Sequence, residues 1–161
     1  MTRPLLDSMR AYVIEQVNGL SEDRIARQMK DFTDMVLRFD EAYYEGIVDL
    51  ITQEAKKYKN TGQDFERKIL HFYLLQYLHR HAPFQPAVRR FLKSKFSEEF
   101  SNAGENSAQL AKLMELLCAF EPASPSETLE CLKQAYLLTH QRVAFQAHHQ
   151  GLLCVVAEKH N

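Results

Sequence analysis

Seven histidines and three cysteines are the side chains best suited to chemistry in this 161-residue sequence. Their spacing sets what they can do together. A metal ion needs imidazole nitrogens or thiolates converging at about 2 Å, which on a helix favours partners four residues apart. His71 and His79 are eight apart with Leu75 between them, so helical rise separates them by roughly 12 Å. His79 and His81 meet only across a helix end, and His140 stands two turns from His148 and His149. The sequence has no Glu-x-x-His pair of the kind a di-iron bundle projects inward. The expectation is no metal and no cofactor.

The thiols give a similar reading. Cys118, Cys131 and Cys154 stand among apolar neighbours, and Cys131 also has Glu127 and Glu130 close by, an environment that disfavours a thiolate. They read as small hydrophobes, and their odd number fits a reducing cytoplasm better than a disulfide scaffold. There is no nucleophile elbow, Gly-rich phosphate loop, dinucleotide fingerprint or His-Glu-x-x-His. The chain is therefore read as non-enzymatic, with no catalytic residue assigned. An enzyme assembling histidines from several helices ranks third among the functional readings. Asp31, Asp34, Glu41 and Glu45 fall mainly away from the apolar stripe of their helix and read as solvated.

Charge and aromatic content point to contact surfaces instead. The net charge of −1 argues against generic polyanion binding. Its distribution is uneven, because Arg67, Lys68, Arg80, Arg89, Arg90, Lys93 and Lys95 cluster before an acidic stretch from Glu98 to Glu130. His79, Arg80, His81, Arg89, Arg90 and Lys93 are read as a charged contact surface. Ten Phe and seven Tyr without a Trp supply more aromatic area than one small core easily hides. Tyr43, Tyr44, Tyr73 and Tyr77 are read as protein-binding anchors, since tyrosine combines area with a hydroxyl.

Helices must position all of these groups. Apolar residues at steps of three and four define a first helix from Leu5 to about Asn18, stopped by Gly19, with Ser21 as the next cap. Ile25, Met29, Phe32, Val36, Phe39, Tyr43, Ile47 and Leu50 continue the stripe, predicting a long second helix that reaches Tyr58. The alternative is a break near Tyr44-Glu45-Gly46, and Gly46 marks a bend or a close approach. A third helix over 64–79 carries the densest apolar run and is expected at the centre. Pro86 opens a fourth that runs toward Phe100, with Arg90, Lys93 and Ser97 on its polar side. A fifth spans 108–120, and Ser124-Pro125-Ser126-Glu127 forms a capping box with proline at the first position of the last. Leu152 to Val156 either seals the bundle or docks on a second copy.

The sequence thus predicts an all-α protein, a compact bundle of about six helices in a single domain over 1–161. No secretory signal or membrane span is expected, which places the chain in the cytoplasm. The function expected is that of an adaptor or regulator acting through a protein partner, self-association included. A nucleic-acid-associated regulator using the basic 80–95 segment is second.

Overall fold

The computed structural model describes residues 3–138, and these form helices and turns with no strand among them. There are eight α-helices among the described residues: α1 Asp7–Asn18, α2 Ile25–Val36, α3 Tyr44–Ala55, α4 Gly62–Leu78, α5 Gln85–Ser94, α6 Ser97–Ala103, α7 Ser107–Phe120 and α8 Pro125–Leu138. Single 3-10 turns stand at Glu22–Arg24, Glu41–Tyr43 and Ala82–Phe84. No helix among the described residues is long and apolar enough to cross a membrane. The all-α expectation holds. The count of six does not, because two predicted helices are each divided.

The first division replaces the long second helix. After Val36 the hydrogen bonding tightens from i−4 to i−3, with Arg38 donating to Met35 and Phe39 to Val36. Asp40 then adopts an extended conformation and its Oδ1 accepts from the Ala42 amide at 2.9 Å. That is an N-cap, and it starts a new helix rather than continuing the old one. Tyr44 returns its hydroxyl to the Leu37 carbonyl at 3.0 Å, satisfying an acceptor freed by the break. In the sequence the apolar stripe runs unbroken through Val36, Phe39 and Tyr43, of which Val36 and Tyr43 are buried and Phe39 half-buried, so periodicity alone misses the corner. Gly46 lies inside α3 at a close approach: a Cβ there would stand 3.2 Å from Leu5 Cγ.

The second division falls after α5. The Phe91 carbonyl accepts from both Lys95, at 2.9 Å, and Phe96, at 3.1 Å, so the chain widens by one residue and turns. The bend brings Phe96 within 5.4 Å of Phe91, 5.9 Å of Phe100 and 6.1 Å of Phe120, ring centre to ring centre. The pairs with Phe100 and Phe120 are edge-on, a geometry that adds about 0.5–1.5 kcal/mol to simple burial. The turn also rotates the following face. Ser97, expected on the polar side, is buried.

Chain contacts group the fold into two units, Met1–Val88 and Arg89–Asn161, with the boundary inside α5. In the first, α3 packs on α4 and α1, while α2 packs on α4. Its core holds Val13, Val17, Phe32, Val36, Ile47, Ile51, Phe72, Leu74, Leu75 and Leu78, all essentially inaccessible. Fully burying each such side chain contributes about 1.5–3 kcal/mol. The densest buried run is α4, the predicted third helix. The second unit packs α6 on α8 and α7, and α7 on α8, around Phe96, Phe100, Leu113, Met114, Leu117, Phe120, Cys131 and Leu132.

Local signals differ in how they are used. Gly19 follows α1 as expected. Ser21, expected as a cap, makes no side-chain cap bond. Gln28 closes this corner instead, accepting from the Ser21 amide at 2.9 Å and donating to the Gly19 carbonyl at 2.7 Å. Pro125 does open α8, and Ser124 before it is fully buried.

Candidate functional site

Buried ionisable groups are the first place to look for chemistry, because isolated charge is costly away from water. In the first unit Glu54, Lys68, His71 and His79 are each at most 4% exposed. Glu54 ends the buried face of α3. The Lys57 ammonium, itself largely exposed, reaches Glu54 Oε2 at 2.6 Å. Lys68 and His71 lie three residues apart on α4, among Phe65, Ile69 and Phe72. Lys68 Nζ donates to Asn60 Oδ1 at 2.9 Å. Arg67 Nη2 donates to the Asn18 carbonyl at 2.6 Å, and the Tyr58 hydroxyl reaches Asn18 Oδ1 at 3.3 Å. These contacts fasten the 56–61 connection to α4 and to the end of α1.

His71 stands apart within this cluster. Its Nδ1 lies 2.8 Å from the Arg67 carbonyl, so Nδ1 carries the proton and Nε2 the lone pair. That Nε2 is buried with no hydrogen-bond partner. Burial pushes the imidazole below its ordinary range and the Arg67 charge pushes the same way, while the bond to the Arg67 carbonyl and the Glu54 charge oppose it. The Tyr58 ring packs at 5.4 Å. The result is a neutral imidazole enclosed in the core, against the Tyr58 ring of the preceding connection. No group of three His, Cys, Asp or Glu side chains among the described residues is placed to hold a metal ion.

The predicted anchors divide by burial. Tyr43 and Tyr44 are core residues, a correction to their reading as surface anchors. Tyr44 stacks on Phe84 at 4.0 Å between ring centres, 12° from parallel, and Tyr43 lies beneath Arg3. The corner at 37–43 turns both rings inward. Tyr73 and Tyr77 are half-buried, one turn apart on α4.

The charged set divides as well. His79 is buried at the C-cap of α4, its carbonyl accepting from Gln85 Nε2 at 3.1 Å. Arg89 is spent inside the second unit, donating from Nε to Ser124 Oγ and from Nη2 to the Ala123 carbonyl, both at 3.0 Å. These two are corrections to the charged-surface reading. Arg80, Arg90 and Lys93 are exposed and His81 half-exposed. Arg80 lies 5.0 Å over the Tyr77 ring, and His81 packs against the same ring at 6.1 Å. Nearby on α2, Lys30 bonds Asp34 at 3.0 Å. Its ammonium is held above its ordinary range chiefly by that bond and by the Asp34 charge, with smaller contributions from Asp31 and Tyr77.

In the second unit an open cleft of about 380 Å³ is lined by Lys93, Ser126, Glu127 and Glu130. Cys118 and Cys131 are free thiols. Burial, with the Glu121 charge, pushes Cys118 up, and burial alone pushes the fully enclosed Cys131 far up. Neither is an activated nucleophile. Asp31, Asp34 and Glu41 are exposed as expected, and Asp31 faces Arg27 at 3.8 Å. His140, His148, His149, Cys154 and the 152–156 segment lie outside the described residues.

Sequence reasoning missed the Glu54–Lys68–His71 cluster. The available signal was polar residues on apolar faces: Glu54 between Ile51 and Ala55, and Lys68 beside Ile69. Comparison of the chain with protein-family models, curated proteins and solved structures finds no match.

Proposed function

We propose that this chain is a non-enzymatic helical adaptor or regulator that binds another protein through the outer edge of α4. One observation carries the reading. Tyr77 is half-exposed at the end of a deeply buried helix, and Arg80 and His81 already hold its ring. Tyr73, one turn earlier, extends the same edge. A ring fixed before contact gives area to a partner with little further loss of freedom, which is what interface hot spots require. The assignment to the cytoplasm belongs to the same reading and draws support from the free thiols of Cys118 and Cys131. Self-association through this edge is a special case, in which the partner is a second copy.

The test is capture of partners by the full chain from its native cell, comparing wild type with the Tyr73→Ala/Tyr77→Ala double variant. Loss of a stoichiometric partner with unchanged helical circular dichroism supports the reading. Retention of every captured protein refutes it. The nucleic-acid reading draws on the exposed Arg90 and Lys93 of α5. It requires salt-sensitive oligonucleotide binding that is lost when those two are neutralised.

A further inference from the structure

Among the described residues three arginines lie over tyrosine rings: Arg3 over Tyr43 at 5.3 Å, Arg67 over Tyr58 at 5.9 Å and Arg80 over Tyr77 at 5.0 Å. Two of them use the guanidinium within the fold. Arg3 Nη1 stands 3.9 Å from Asp40 Oδ2, and Arg67 Nη2 bonds the Asn18 carbonyl. Arg80 differs. Its one side-chain hydrogen bond is a long one, Nη2 to Gln76 Oε1 at 3.4 Å, and no carboxylate pairs with it among the described residues. A planar guanidinium presents several donors in a fork that matches a carboxylate. Here the ring below and the amide beside it have already restricted the side chain, so pairing loses less rotamer freedom than at an unsupported surface arginine.

The helix end does not oppose an anion as strongly as an open C-terminus would. The carbonyls of Leu75, Tyr77, Leu78 and His79 accept, respectively, from the His79, Arg80 and His81 amides and from Gln85 Nε2. With these acceptors occupied, the outward chemistry of the edge is guanidinium, imidazole and phenol. Two charges on α2 are paired, Lys30 with Asp34 and Arg27 with Asp31, whereas no ion pair forms at Arg80 among the described residues.

We propose that Arg80, held on Tyr77 and flanked by His81, receives a carboxylate from an acidic segment of the protein partner, while Tyr73 and Tyr77 contact the apolar side chains beside that carboxylate. The assignment rests on the protein-binding reading and adds the chemistry of what is bound.

A fluorescein-labelled peptide with glutamates around a central leucine, titrated with the full chain and followed by anisotropy, tests it. Wild type binds, binding weakens as salt is raised, and Arg80→Ala weakens it about tenfold, the loss of one charge-assisted contact. Arg80→Lys restores only part of the affinity, because an ammonium cannot form the fork. Arg24→Ala, an exposed arginine away from any tyrosine ring, leaves affinity unchanged. Equal binding of a glutamine version of the peptide, or indifference to Arg80→Ala, overturns the assignment. So does tighter binding of a single-stranded oligonucleotide that depends on Arg80, which would make phosphate the ligand. The capture experiment separates the two levels. A partner lost with Tyr73→Ala/Tyr77→Ala but kept with Arg80→Ala leaves protein binding standing and removes the carboxylate. A partner kept in both removes both.

Discussion

Replacing His71 with leucine should flatten the acid limb of the stability curve while leaving stability near neutral pH equal to wild type or modestly higher. In the folded chain His71 is fully buried, donates through Nδ1 to the Arg67 carbonyl and has a bare Nε2. The groups facing it are Glu54 from α3, Tyr58 from the following connection and Arg67 on its own helix. Burial lowers its pKa in the fold, so below the unfolded value of about 6.5 the unfolded chain binds the proton first. Stability therefore falls as pH drops through that value, with a slope limited to about 1.4 kcal/mol per pH unit for one proton. Between about pH 6.5 and pH 5 this histidine accounts for at most about 2 kcal/mol. Leucine has similar volume and removes an unsatisfied nitrogen worth about 1–3 kcal/mol. It gives up one hydrogen bond of about 1 kcal/mol to a carbonyl that the helix already uses. Near pH 7.5 the variant should thus lie between wild type and about 2 kcal/mol above it. Urea unfolding by far-ultraviolet circular dichroism at several pH values measures both quantities. Parallel curves from neutral pH to pH 5 would show that His71 is not an enclosed neutral imidazole, and the reasoning would fail.

In the second unit, Arg89→Ala removes donors to Ser124 Oγ and the Ala123 carbonyl, the contacts that hold the turn before α8. A loss of about 2–3 kcal/mol is expected in urea unfolding, with Arg89→Lys recovering only a minor part because one ammonium cannot span both acceptors. Cys131 is fully buried with its thiol pushed far up, whereas Cys118 is partly accessible. Iodoacetamide followed by peptide mass spectrometry should label Cys118 in the native chain and Cys131 only once urea unfolds it. Labelling of both at equal rates contradicts the described core.

Helical content, the stop of α1 at Gly19 and the start of α8 at Pro125 were all legible in the sequence, because each depends on residues within one or two turns. The apolar density of α4 was legible for the same reason. Two corners were not. The apolar stripe passes through 37–43 without interruption, yet Asp40 caps a new helix there, and the tie from Tyr44 to Leu37 exists only after the turn has formed. After α5 the widened turn at Phe91 is accompanied by contacts of Phe96 with Phe100 and Phe120, a cluster that local propensity does not encode.

The contact residues show the same division. Composition identified tyrosine and arginine as the chemistry available for binding, and spacing ruled out a local histidine metal pair. Tertiary structure then chose among them, turning Tyr43 and Tyr44 inward, spending Arg89 on Ser124 and enclosing His79. Tyr77, Arg80 and His81 remain together at the surface. The physical reason is that one-dimensional pattern reports which side chains can leave water. Which ones do so, and which cations find a counter-charge among the described residues, depends on partners brought together from distant parts of the chain.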